Sequence, residues 1–254
     1  MRVCIYLALC VFSINVHAVS VYIFDRTYTE TPNQNIQVNL QGHGSEIRAI
    51  VLATTPVVVH QRITNNFAEL IPQVRAVNAA KQERAVAVMP FTDRLAQRCP
   101  TVIQEAISEA VDNRGVIFVV AVGNDGTQTL KAPASCQDVV TVGAATVLNG
   151  VTSWSNYGEQ VTVYANPTGV DRFQNLGTSF SAAYVAGIVA RWLKDDETLT
   201  LEQIKHRLQV NSTKHKILDI GDPDDPKTCD NFFDAVWNMR TCRKLQLRQS
   251  KNKN

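Results

Sequence analysis

The fold class legible in this sequence is α/β, with a mostly parallel central sheet and helices on both faces. Three features predict it. Short runs rich in Val and Ile recur along the chain, and most are continuously apolar rather than alternating, as strands covered on both sides must be. Segments with apolar residues at helical spacing lie between them. Alternation of strand and helix at short intervals builds parallel sheets. The 254 residues suffice for one large α/β domain or two small ones. A hydrophobic share of 45% with 19% charged residues is that of a globular chain, not a disordered one. The formal net charge of +2 gives no argument for nucleic acid as a partner.

The elements follow in order. "MRVCIYLALCVFSINVHA" has Arg2, an apolar stretch from Val3 to Ile14 and a small-residue end, Val16-His17-Ala18. That pattern predicts a signal peptide over 1–18 cleaved after Ala18, and hence a secreted or periplasmic protein. The stretch falls short of the roughly 18–20 residues of a membrane span, and no later run is long enough to cross a bilayer. Strands are predicted at "VSVYIFD" (19–25), "IQVNL" (36–40), "PVVVHQRI" (56–63), "AVAVMP" (85–90), "GVIFVVAVG" (115–123), "DVVTVGAA" (138–145) and "VTVYA" (161–165). In "TVIQEAISEAVDNRG", Val102, Ile103, Ala106, Ile107, Ala110 and Val111 form an apolar stripe that Gly115 ends. "NFAELIPQVRAVNAAKQ" reads as a second helix despite Pro72, and another begins near Ser45. "NLGTSFSAAYVAGIVARWL" (175–193) predicts a buried helix of small residues. A glycine in mid-helix is disfavoured by about 1 kcal/mol against Ala, so Gly187 implies close packing. The tail from 241 to 254 is basic and reads as a solvated end. Four cysteines remain beyond the signal, Cys99, Cys136, Cys229 and Cys242. An even number in an exported chain suggests two disulfides; of three pairings, Cys99–Cys136 with Cys229–Cys242 is preferred, the second pinning the tail.

In a parallel α/β sheet the functional site lies at the carboxyl ends of the strands. Asp25 ends the first strand, His43 precedes a helix, Asn124 follows "VIFVVAVG", and Ser179 opens the small-residue helix. These are a carboxylate, a base, an amide donor and a hydroxyl nucleophile, the parts acyl transfer requires. Taken singly, each has a plainer reading: Ser179 as a helix N-cap, His43 as a surface histidine, Asn124 as a turn residue before Asp125-Gly126. His60, His206 and His215 stand in ordinary structural contexts.

The surrounding residues decide between the readings. "GTSFSAAYVAG" (177–187) resembles the nucleophile motif of the subtilisin-like serine peptidases, the subtilases, and "GHGSEIRAIVLA" (42–53) resembles their histidine motif. "VYIFD" (21–25) is similar to their aspartate strand, and "AVGNDG" (121–126) to their oxyanion segment. "APASCQDVVTVGAA", "TSWSNYGEQVTVYANPTG" (152–169) and "DNFFDAVWNM" (230–239) extend the likeness, which covers roughly 19–240 in the family's order Asp, His, Asn, Ser. The resemblance implies a three-layer subtilisin-like domain over 19–240 and a serine endopeptidase. Ser179 would be its nucleophile, His43 its base, Asp25 the orienting carboxylate and Asn124 the oxyanion donor. It implies a polypeptide substrate held along "MPFTD", with Met89, Pro90, Phe91 and Thr92 on one wall and Gly123 on the other.

The sequence also departs from the family. Asp25 is followed by Arg26-Thr27, and 17 residues separate it from His43, which implies a missing surface loop. Pro90 offers no N–H to a paired peptide. The first strand starts directly after the expected signal, which leads to the expectation that the chain folds unaided or with a separate helper or inhibitor chain. Calcium is common in the resembled family, but "DIGDPDDP" (219–226) gives no legible ligand set, so no metal or cofactor is assigned. "NST" (211–213) is a glycosylation sequon in a eukaryotic secretory setting. Two alternatives stand beside the protease: a catalytically silent relative that binds a peptide or partner protein, and an esterase using the same triad.

Overall fold

The structure is a computed structural model that describes residues 18–25, 42–64, 66–79, 84–93, 96–146, 148, 150–166, 177–213 and 216–218. Its centre is a parallel sheet. Strands β1 (Val19–Asp25), β2 (Val58–Ile63), β3 (Arg84–Met89), β4 (Ile117–Ala121), β5 (Val139–Ala144) and β6 (Val163–Ala165) pair in the order β2-β1-β3-β4-β5-β6. Every adjacent pair is parallel, with Val21 opposite both Val59 and Val86, and Val88 opposite Val119. The predicted strand "IQVNL" lies outside the described residues, as do residues 1–17 of the signal segment, the basic tail, the acidic 219–226 stretch and the Cys229–Cys242 pair.

Side chains of a strand point alternately to opposite faces, and this divides the runs between two cores. Val19, Val21, Ile23, Val86, Val88, Ile117, Val119, Val140 and Val142 pack under helices α1 (His43–Thr54), α4 (Thr178–Asp195) and α5 (Leu201–Val210). Phe24, Ala85, Ala87, Met89, Phe118, Val120 and Val139 pack on the other face under α2 (Phe67–Ala79) and α3 (Thr101–Arg114). Two buried faces explain why the strands read as unbroken apolar runs. Each fully buried Val or Ile side chain adds about 1.5–3 kcal/mol relative to exposure, before chain entropy is set against it.

Local chemistry sets the helix ends. Gly115 caps α3 in the left-handed region at φ 59°, where its N–H reaches the Ala110 and Val111 carbonyls. The α3 stripe is narrower than the sequence suggested. Ile103, Ala106, Ile107 and Ala110 are buried, whereas Val102 is 50% exposed, because one step along a helix turns the side chain by about 100°. Asn66 Oδ1 accepts the Glu69 N–H at the start of α2, and Pro72 is accommodated within that helix. Thr200 and Gln203 form a reciprocal capping box on α5.

Helix α4 is buried almost all round and runs against α1 and against strands β1, β3, β4, β5 and β6. At Gly187 a Cβ would lie 2.5 Å from the Thr54 Cβ of α1, so only glycine allows the two helices to sit this close. A disulfide joins Cys99, ahead of α3, to Cys136, with Cα atoms 4.8 Å apart; this is the predicted pair. Among the described residues no helix is long and apolar enough to cross a membrane.

Candidate active site

The strand order does most of the assembly. β1, β3 and β4 are neighbours, about 4.8 Å apart strand to strand, and all run the same way. Their carboxyl ends form one rim, carrying Asp25 at the end of β1, Pro90 after β3 and Val122-Gly123-Asn124 after β4. Two helices begin at this rim: His43 is the first residue of α1 and Ser179 the second of α4. The sequence placed the start of α1 near Ser45; the helix takes in His43 itself, with Gly42 at φ 135° as N-cap.

His43 Nδ1 lies 2.6 Å from Asp25 Oδ2. Asp25 is buried while the His43 side chain is 35% exposed, so the carboxylate stands behind the ring and the ring faces the cleft. An imidazole whose Nδ1 faces a carboxylate carries its proton there in the neutral form, leaving Nε2 as an acceptor. Phe180 meets the imidazole edge-on, with ring centroids 5.6 Å apart at 69°, and Gln61 Nε2 donates to the Gly44 carbonyl in the first turn of α1. Burial works against the imidazolium, but the Asp25 hydrogen bond and the negative charges of Asp25 and Glu46 outweigh it. The net effect holds the His43 pKa above 6.5.

Ser179 is nearly buried, and its hydroxyl donates to the Pro90 carbonyl oxygen at 2.7 Å. A hydroxyl has one proton, so in this arrangement the proton is directed across the cleft floor and not at the imidazole.

Asn124 is exposed at the tip of the segment after β4. Its Oδ1 accepts two hydrogen bonds from Thr178, one from the backbone N–H at 3.0 Å and one from the hydroxyl at 3.0 Å. The Thr178 hydroxyl in turn accepts the Gly123 N–H at 3.2 Å. With its oxygen held twice, the Asn124 amide presents its NH2 as the free, donating end. Sequence reading passed over Thr178 and Phe180, although both lie inside "GTSF", because their roles depend on a loop far away in the chain.

The predicted substrate wall needs one correction. Met89 is fully buried in the core beneath α2 and α3, because its position in the β3 alternation turns its side chain away from the rim. Phe91 packs partly against the same core, and Thr92 stands at the cleft, its Cγ2 3.5 Å from where a Cβ on Gly123 would be. Gly123 has φ +105°, and a side chain there would also meet Asn156 Nδ2 at 2.7 Å, so this position is bare backbone by necessity. Hydrogen bonds from Asp93 N–H to the Ala132 carbonyl, 2.7 Å, and from Ala132 N–H to the Ala96 carbonyl, 2.8 Å, tie this segment to the turn that Cys136 anchors. A cavity of about 680 Å³ lined by Cys99, Ser135, Cys136, Gln160 and Lys216 contains none of these site residues. Among the described residues, no three His, Cys, Asp or Glu side chains gather as a metal site requires.

Comparison with known proteins agrees with this layout. The family model described as the subtilase family matches residues 10–231. A thermophilic serine proteinase of Bacillus sp. (strain AK1) is 28% identical over 221 residues, 76% of this chain and 52% of that protein. Subtilisin-like protease 9 of Arthroderma benhamiae is 36% identical over 92 residues, 33% of this chain and 23% of that protein. The matches thus span about half or less of these relatives' own lengths. The crystal structure of a cold adapted subtilisin-like serine proteinase superposes with a TM-score of 0.66 at 21% identity, covering 82% of this chain and 86% of that one, a likeness of fold. Sheet order, helix placement and the extent of the family match lead to one conclusion: the chain belongs to the subtilase family.

Proposed function

We propose that this chain is a secreted serine endopeptidase that hydrolyses peptide bonds through an acyl-enzyme on Ser179. The observation that carries the reading is the 2.6 Å contact between His43 Nδ1 and buried Asp25, on the rim that also bears Ser179 and Asn124. Export is supported by the leader-like residues 1–18 and by the Cys99–Cys136 bond.

The steps follow from the groups present. An extended substrate lies along 90–93, where Pro90 accepts but cannot donate a backbone hydrogen bond. The Ser179 hydroxyl turns from the Pro90 carbonyl to His43 Nε2, gives up its proton and bonds to the scissile carbonyl carbon. Asp25 stabilises the imidazolium that results. Negative charge on the carbonyl oxygen is met by Asn124 Nδ2 and by the Ser179 N–H, in a helical first turn that has no intrahelical partner for it. The imidazolium then protonates the departing amine. Water, deprotonated by the same imidazole, releases the acyl group.

The parked hydroxyl of Ser179 favours one second reading, a silent relative that binds peptide without cleaving it. Labelling with a fluorophosphonate separates the two. The proposed enzyme forms a covalent adduct located on Ser179 by peptide mass, absent in Ser179→Ala. Folded protein that takes no adduct, yet binds peptide equally well with and without the hydroxyl, is the binder.

A further inference from the structure

Asn156, in the connection between β5 and β6, is wholly buried and belongs to neither the triad nor the substrate wall. Its side-chain amide uses every polar position. Nδ2 donates to the Val122 carbonyl at 2.9 Å and to the Thr129 carbonyl at 3.4 Å. Oδ1 accepts the Asp125 N–H at 2.9 Å and the Thr127 N–H at 3.3 Å. Its backbone N–H donates to the Gly123 carbonyl at 3.0 Å. An amide has two donors and two acceptor sites, and all of them go to the segment that carries Asn124. The partners, at 122, 123, 125, 127 and 129, flank Asn124 on both sides without touching it.

A core asparagine that merely satisfied itself would not need partners spread over eight residues of one loop. This one stands where a Gly123 side chain would go, so the loop is wrapped around the amide. Two backbone bonds add to the wrap, Gly126 N–H to the Trp154 carbonyl and Tyr157 N–H to the Thr127 carbonyl, both at 3.0 Å. Thr178 fixes the Asn124 side chain, but something else must fix the backbone beneath it, since a donor displaced by a fraction of an ångström loses its value for developing charge. We propose that Asn156 is a positioning residue for the oxyanion donor: it holds segment 122–129 so that the Asn124 amide and the Gly123 backbone keep their places. The proposal rests on the protease reading and adds a residue to it.

The test pairs kinetics with hydrogen exchange on the full chain. Asn156→Asp keeps the acceptor and turns two donors into acceptors facing the Val122 and Thr129 carbonyls; Asn156→Ser, which loses reach without adding charge, is the second variant should the first not fold. Folding is checked by circular dichroism and thermal melting. The expected result is a fall in kcat of about 10–100-fold, below the full loss of an oxyanion donor, with KM within about 2-fold and the acid limb of the pH profile unmoved. In an Asn124→Ala background the same change lowers kcat by less than about 2-fold, because the group it positions is already gone. Exchange at the Asp125 and Thr127 amides speeds up in both variants. A rise in KM at constant kcat, or full additivity with Asn124→Ala, overturns the proposal. A wild-type chain that takes no fluorophosphonate label overturns the reading of the site instead, and the brace is then judged by exchange alone. Unchanged protection at Asp125 and Thr127 would refute it.

Discussion

The two sides of the rim are built from different material. On the proposed base side the holding contact is His43 with Asp25, whose partners lie on one strand and one helix. On the proposed oxyanion side the contacts that hold Asn124 itself are neutral, the Asp125–Lys131 ion pair lying next to it in the chain. Asn124 is held by Thr178, and its segment by Asn156, through neutral hydrogen bonds drawn from two further stretches of chain. On the proposed mechanism the first side is expected to respond to pH and the second to depend on geometry alone.

The largest break in this comparison is on the charged side. His43→Ala removes the base, and kcat on a peptide ester is expected to fall by about 10⁶, the magnitude found for the base in subtilisin, a member of this family. A steady-state assay beside the wild type measures it, and a loss of under tenfold would dissociate the imidazole from the chemistry. On the neutral side the expected loss is smaller. Asn124→Ala should lower kcat by about 10²–10³ with KM nearly unchanged, again the subtilisin magnitude. Thr178→Val, which removes the hydroxyl between Gly123 and Asn124, should cost about tenfold by letting the amide turn. A Thr178→Val loss as large as that of Asn124→Ala would mean that the hydroxyl meets the oxyanion itself.

The smallest effect sharpens the contrast. The proposed mechanism needs neutral His43, so a pKa held above its ordinary value should raise the acid limb of kcat/KM correspondingly. Glu46 adds negative charge that favours the imidazolium. Glu46→Gln should therefore lower the pKa and move the limb to lower pH by a few tenths of a unit, a scale set by the weak coupling of partly exposed charges. In Asn124→Ala the limb should stay where it is. A limb that moved in Asn124→Ala and held still in Glu46→Gln would reverse the assignment of the two sides.

How far the sequence could be read follows the same division. β1 has the bounds that its apolar run suggested, and the Cys99–Cys136 pair and the close packing at Gly187 are present. Each of these is written locally, in a run, a count or a misfit residue. Asp25, His43, Asn124 and Ser179 were legible as strand-end or helix-start residues; Asp25 and His43 are in contact, while the Ser179 hydroxyl bonds to the Pro90 carbonyl and Asn124 to Thr178. Met89 was misjudged because "MPFTD" shows no alternation by which to tell core from cleft; only its place in the β3 register does. Val102 was misjudged because neighbouring apolar residues blur the edge of a helical stripe. Thr178 and Asn156 could not be found at all, since a polar residue whose partners lie 54 or 31 positions away leaves no local pattern.

Gly187 joins the helix that carries Ser179 to the one that carries His43. It lies two turns beyond Ser179 in α4 and would touch, with any side chain, the last residue of the helix that begins with His43. The approach of the two helices is therefore set where the middle of one meets the end of the other, by the absence of one methyl group. A bulkier residue there would push the two helices apart, and only a matching reduction at position 54 would let them close again.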